Sequence, residues 1–195
     1  MKRSTPSYPL NYILKITQSA LAFFGLAVCV GSGADWPQVH GPSGGFRVNE
    51  RAPTSWSVAK GENVKWKADL PETGQSAPIV VDGKVFVTTV KPLGKDAEIA
   101  KDIIAWCLDA DSGKELWRRE IEGRFNLRLS GAFGDSSGPA AVSDGERVVF
   151  INASGTIACF SLEGDVLWRR EILSVSRTRA FLSQGNLVFT RQAYA

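Results

Sequence analysis

CLDADSGKELWRREI at residues 107–121 and CFSLEGDVLWRREI at residues 159–172 decide how this chain folds. Both end in the same six residues, LWRREI, which sets Trp117 and Trp168 51 positions apart. Trp66, in NVKWKADL, lies a further 51 positions upstream. The rest of a unit aligns around these tryptophans. SAPIVVDGKVFVT (76–88) matches SGPAAVSDGERVVFIN (137–152) with two residues inserted, and IIAWCLDADSGKELW (103–117) matches GTIACFSLEGDVLW (155–168) with one lost. A third copy opens at RAFLSQGNLVFT (179–190). A period of about 50 residues belongs to propeller blades or to helical arrays.

Local pattern separates the two. The apolar runs are short, rich in Val, Ile, Phe and Trp, and joined by Asp82-Gly83, Ser112-Gly113, Asp144-Gly145, Glu163-Gly164 and Gln184-Gly185. Such pairs between short apolar runs signal β-hairpins. Val85, Val87 and Thr89 alternate with Phe86, Thr88 and Val90, the mark of a strand with two faces. Four strands are expected in each unit: 77–81, 84–90, 103–109 and 114–121, then 138–142, 147–152, 156–162 and 165–172. Asp96–Ile104 reads as an inserted loop. The expected class is all-β, a partial β-propeller with two complete four-stranded blades (77–121 and 138–172) and incomplete blades at both ends. Ahead stands a lone outer-type strand over 63–70; behind come two inner strands over 179–191. These pieces do not close a ring. The expectation is a truncated reading frame, a fragment, or a protomer that needs further blades or another chain.

Composition fits an ordinary globular body: 195 residues, 44% apolar and 22% charged. The formal charge is +3, yet Lys2, Arg3 and Lys15 lie in the first 34 residues, where no acid occurs. Removing those three from 23 leaves 20 basic side chains against 20 acidic ones. A neutral body has no electrostatic footprint for nucleic acid. The basic start, the apolar run Ala20–Val30 and the small residues Gly31, Ser32, Gly33 and Ala34 follow the order of a secretory signal peptide over 1–34, cleaved before Asp35. The apolar run spans only about half a bilayer core, which argues against a membrane anchor. A lipoprotein reading at Cys29 suffers from Val28, where a small residue is wanted. The expected product is exported, periplasmic or extracellular, with an N-terminal extended segment over 35–62 and no transmembrane span.

CLDADSGKELW (107–117) resembles the tryptophan-docking motif of PQQ-like (quinoprotein alcohol dehydrogenase-like) β-propellers, whose usual form is ALDAKTGKELW. Asp109, Gly113 and Trp117 match, and Cys107 replaces the Ala; the second copy keeps Gly164 and Trp168 and has Ser161 for the Asp. WPQVHGP (36–42), with PTSWS and NVKWKADLP behind it, resembles the opening of secreted bacterial members, and the likeness is to their N-terminal portion. The resemblance implies a repeat motif of Trp66, Asp109, Gly113, Trp117, Gly164 and Trp168, in which glycine turns the chain and tryptophan docks. It implies no single activity, because the family holds dehydrogenases, assembly scaffolds and other proteins. Pyrroloquinoline quinone enters by this resemblance alone. The dehydrogenases' adjacent cysteine pair is absent here.

No chemical motif outranks the repeat. GDSSGP (134–139) resembles the surroundings of a serine-protease nucleophile, but the only histidine, His40, sits in an unrelated context, and Ser137 aligns with Ser76 of the preceding unit. DADSGKE (109–115) suggests a calcium loop, yet Gly113 stands where an oxygen ligand is required. Cys107 and Cys159 occupy equivalent points of neighbouring blades, too far apart for a disulfide, and read as small buried groups. Asn152-Ala153-Ser154 is a glycosylation pattern only in a eukaryotic secretory route. Arg118, Glu120, Arg169 and Glu171 read as charges that keep an outer edge from pairing. No catalytic or metal residue is assigned. The expected function is an exported binding or scaffold module for a protein or polysaccharide ligand. The alternatives are the N-terminal part of a quinone-dependent dehydrogenase and an outer-membrane protein assembly scaffold.

Overall fold

The computed structural model describes residues 34–47, 53–94, 99–128, 135–172, 179–183 and 186–190. The expected leader through Gly33, the start of the expected loop at Asp96 and the Gln184-Gly185 turn lie outside them. Twelve strands follow in chain order: β1 (Ile79–Val81), β2 (Lys84–Val90), β3 (Ile99–Ala100), β4 (Ile103–Asp109), β5 (Glu115–Ile121), β6 (Leu127–Arg128), β7 (Val142–Ser143), β8 (Arg147–Asn152), β9 (Thr156–Ser161), β10 (Val166–Glu171), β11 (Arg179–Ser183) and β12 (Asn186–Thr190).

Two antiparallel sheets of four strands run in the orders β1-β2-β4-β5 and β7-β8-β9-β10, and β11-β12 form a two-stranded ladder. The fold is all-β, a partial β-propeller. Both large sheets share one register. Phe86 stands opposite Cys107, which stands opposite Trp117; Val149 stands opposite Cys159, which stands opposite Trp168. A β-bulge interrupts the outer strand at the same place in each: Leu116 and Leu167 have no cross-strand partner and are about half exposed, at 50% and 51%. An extra residue re-aims its neighbours. In LWRREI the leucine is turned out and the tryptophan turned in.

The main core lies between the two sheets. Ile79, Phe86, Ile103, Cys107 and Trp117 of the first meet Ala141, Val148, Phe150, Ala158 and Phe160 of the second. Its ring centroids are 5.8–6.3 Å apart, the range in which aromatic pairs favour tilted and edge contacts. A second cluster on the far side of the second sheet holds Val142, Val149, Ile151, Ile157 and Cys159, with Trp168 and Ile172 packed against it.

Three expectations need correction. Residues 63–70 form no strand, although Val64, Trp66 and Leu70 are part-buried while Lys65, Lys67 and Asp69 are exposed. The chain has the alternation of a strand but no described neighbour to supply a ladder. The first strand of the second blade is only Val142–Ser143 rather than 138–142, because Pro139 has no N–H and Asp135–Gly138 is held in a local turn. The expected loop at 96–104 includes β3, whose Ile99 and Ala100 pair with Arg128 and Leu127 of β6 in the neighbouring connection.

Candidate functional site

Each blade ends its third strand in a turn, and a tryptophan from the preceding repeat sits on that turn. Gly113 and Gly164 hold positive φ, 72° and 92°, which glycine adopts without steric cost. A Cβ at Gly164 would lie 2.8 Å from the Trp117 ring, and one at Gly113 2.5 Å from the Trp66 ring. The indole therefore lies directly on the glycine backbone. The Trp117 Nε1–H donates to the Leu162 carbonyl at 2.9 Å, and the Trp66 Nε1–H donates to the Ala110 carbonyl at 2.9 Å. Asp109 completes the first turn. Its Oδ1 accepts from the Ser112 hydroxyl at 2.6 Å and the Ser112 N–H at 2.7 Å, and these bonds hold its carboxyl below the usual range. Trp168 packs on the second core cluster.

The two junctions differ in what surrounds them. Trp117 is 8% exposed, and Arg119 lies 5.7 Å over its ring while Nε donates to the Gly164 carbonyl at 2.9 Å. Trp66 is only part-buried, and Lys65 beside it pairs with Asp111. A cleft of about 440 Å³ opens there, lined by Lys65, Trp66, Val80, Val85, Ala110 and Asp111 among others. The counterparts of Val80 and Val85 in the register of the next blade, Ser143 and Val148, are 4% and 0% exposed. The same sheet face is thus covered in one blade and open in the other.

Residues with chemical potential are engaged in structure. The Ser137 hydroxyl donates to Asp135 Oδ1 at 2.6 Å and accepts from the Gln75 N–H at 3.2 Å, while the Ser137 carbonyl accepts from the Thr88 hydroxyl at 3.0 Å. It pins one blade to the other. His40 meets the Phe46 ring edge-on at 4.8 Å. Cys107 and Cys159 are free and buried; burial pushes the Cys107 thiol up to about 12 and raises that of Cys159. Asn152 is fully buried: Nδ2 donates to the carbonyls of Lys101 at 2.8 Å and Ile121 at 2.9 Å, and Oδ1 accepts from the Ser154 N–H. Among the described residues no group of three His, Cys, Asp or Glu side chains is gathered for a metal.

Sequence reasoning missed three of these ties. Asn152 carried only a glycosylation pattern, and Arg119 carried no reading of its own within LWRREI. The third is Asp35–Pro37, which reaches the inner edges of both sheets. Asp35 Oδ1 accepts from the Asp82 N–H at 3.0 Å, Trp36 exchanges both backbone bonds with Val80 at 2.7 and 3.0 Å, and the Pro37 carbonyl accepts from the Ser143 N–H at 2.9 Å. The WPQVHGP motif was visible, but not what it does.

Repeated four-stranded sheets joined by tryptophan-on-glycine turns define a PQQ-like propeller repeat protein. The family model described as outer membrane protein assembly factor BamB matches residues 49–193, and the chain belongs to that family. No curated protein matches the sequence. Among solved structures, BamB from Moraxella catarrhalis is 15% identical over 65% of this chain and 33% of that one, with a TM-score of 0.43. Quinohemoprotein alcohol dehydrogenase ADHIIG from Pseudomonas putida HK5 is 17% identical over 63% of this chain and 18% of that one, with a TM-score of 0.40. The chain thus spans a third of the first protein's length and under a fifth of the second's.

Proposed function

We propose that this chain is an exported binding or scaffold module with no catalysis of its own, working in the periplasm or outside the cell through its blade loops. The observation that carries the reading is the use of Ser137, Asp135 and Asp109 as hydrogen-bonding parts of turns, which leaves no free nucleophile-and-base pair among them. The family description favours proteins of the outer-membrane assembly route as partners over a polysaccharide. Export rests on the leader pattern of residues 1–34. None of the described residues lies in a helix long and apolar enough to cross a membrane. The open face beside Trp66 is where further blades or another chain would add. Two measurements test the reading. Expression with the leader in a Gram-negative host should yield a periplasmic product beginning at Asp35. Titration with pyrroloquinoline quinone and calcium should give no stoichiometric cofactor absorbance, and a loaded spectrum would establish the dehydrogenase reading instead.

A further inference from the structure

The stretch Asp35–Pro37 does an unusual job. It belongs to neither four-stranded sheet, yet it fills the inner edge of one and touches the inner edge of the other. Its pairing with β1 is an isolated bridge, Trp36 with Val80, which no ladder continues on either side. It is also tied by the Asp35 carboxylate, which accepts from the Asp82 N–H at the β1–β2 turn, and by the Pro37 carbonyl, which accepts from the Ser143 N–H of β7. The loop behind it is closed on itself. Gly41 donates to the Gln38 carbonyl at 2.9 Å and Phe46 to the His40 carbonyl at 2.9 Å. Gly41 has φ of 76°, and a Cβ there would lie 2.9 Å from the Trp36 ring. The loop shapes Trp36 for its seat. Asp35, Trp36 and Pro37 each carry a tie to the sheets.

An inner edge is a row of backbone donors and acceptors that will pair with any extended chain. We infer that the inner edges of β1 and β7 form an acceptor site for an extended segment of a protein partner, and that Asp35–Pro37 is an intramolecular occupant of that site. The occupant shows the chemistry accepted: a carboxylate for the turn amide, then an aromatic residue with both backbone groups paired, then a proline. Proline fits the third place because its carbonyl is used while an N–H is not required there. A tethered strap competes at an effective concentration in the millimolar range, so a free segment binds only where the strap is weakened or outbid. The inference rests on the reading of the chain as a binding module, but its test does not involve quinone or export.

The probe is a fluorescent peptide of residues 34–46, ADWPQVHGPSGGF, added to the full chain and to its Trp36→Ala variant. The variant should bind the peptide at least tenfold more tightly than the unaltered chain by anisotropy. A peptide with alanine at the tryptophan position should not bind. Equal affinity for both proteins, or no binding to a variant that keeps the buried Trp117 emission, overturns the inference. Should the variant fail to fold, hydrogen exchange on the unaltered chain decides. The amides of Val80 and Ser143 should exchange at least tenfold faster than those of the β2–β4 ladder, since the strap opens alone. Equal protection would show that the strap is part of the core and not a separable occupant.

Discussion

The two tryptophan junctions share a design and differ in enclosure. Trp66 and Trp117 each lie on a left-handed glycine and donate to a backbone carbonyl at the same 2.9 Å. Trp117 is sealed by Phe86, Phe150 and Phe160 and clamped by Arg119, while Trp66 borders an open cleft with an ion pair at its edge. The hydrogen bond and the turn are therefore properties of the motif, whereas the stabilisation comes from the sheet that covers it. A repeat whose face is uncovered keeps its geometry and loses most of its hydrophobic return.

That difference gives its largest signal in truncation. Trp117→Ala should cost about 3–5 kcal/mol in denaturant-induced unfolding, as for a fully enclosed aromatic side chain. Trp66→Ala should cost less than half as much; equal losses would mean that the cleft is closed in solution. Next comes the turn itself. Gly164→Ala forces a Cβ against the Trp117 ring and should cost more than the ~1–2 kcal/mol of left-handed backbone strain alone. Gly83→Ala has φ of 67° with no atom within 4 Å, so it should show the strain without the clash.

The smallest effects are those of pH. Between the unfolded thiol value near 9 and the folded value of about 12, unfolded Cys107 loses its proton while the folded side chain keeps it. Stability should therefore decline as pH rises through that interval, and Cys107→Ala should reduce the slope. At the acid end, the Asp109 carboxyl is held low by Ser112, so its contribution is present above the ordinary carboxylate range and fades as pH falls through the folded value. Asp109→Asn should remove that fading in an acid titration followed by circular dichroism.

What was legible in the sequence follows from the range of the forces involved. The 51-residue tryptophan interval and the alternation in 84–90 are written in side-chain identity, and strands stand there. The glycine turns are local, needing only a few residues to declare themselves. Residues 63–70 carry a strand's alternation, but being a strand also requires a neighbour, which no local pattern contains. β3 and β6 are two residues each and exist only because two connections run side by side. The Trp36–Val80 bridge joins positions 44 apart without periodicity. The Asn152 triplet offered only a glycosylation pattern tied to a eukaryotic route, and it is silent about the carbonyls of Lys101 and Ile121 to which the side chain donates.

One detail of the junctions bears on how such repeats drift. The group that receives each indole proton is a main-chain oxygen, contributed by Ala110 in one case and Leu162 in the other. Every amino acid carries that oxygen, so substitution at either position leaves the acceptor in place. Selection can then hold the tryptophan and the glycine while the residues between them wander, and copies can grow unalike within one molecule without falling out of step.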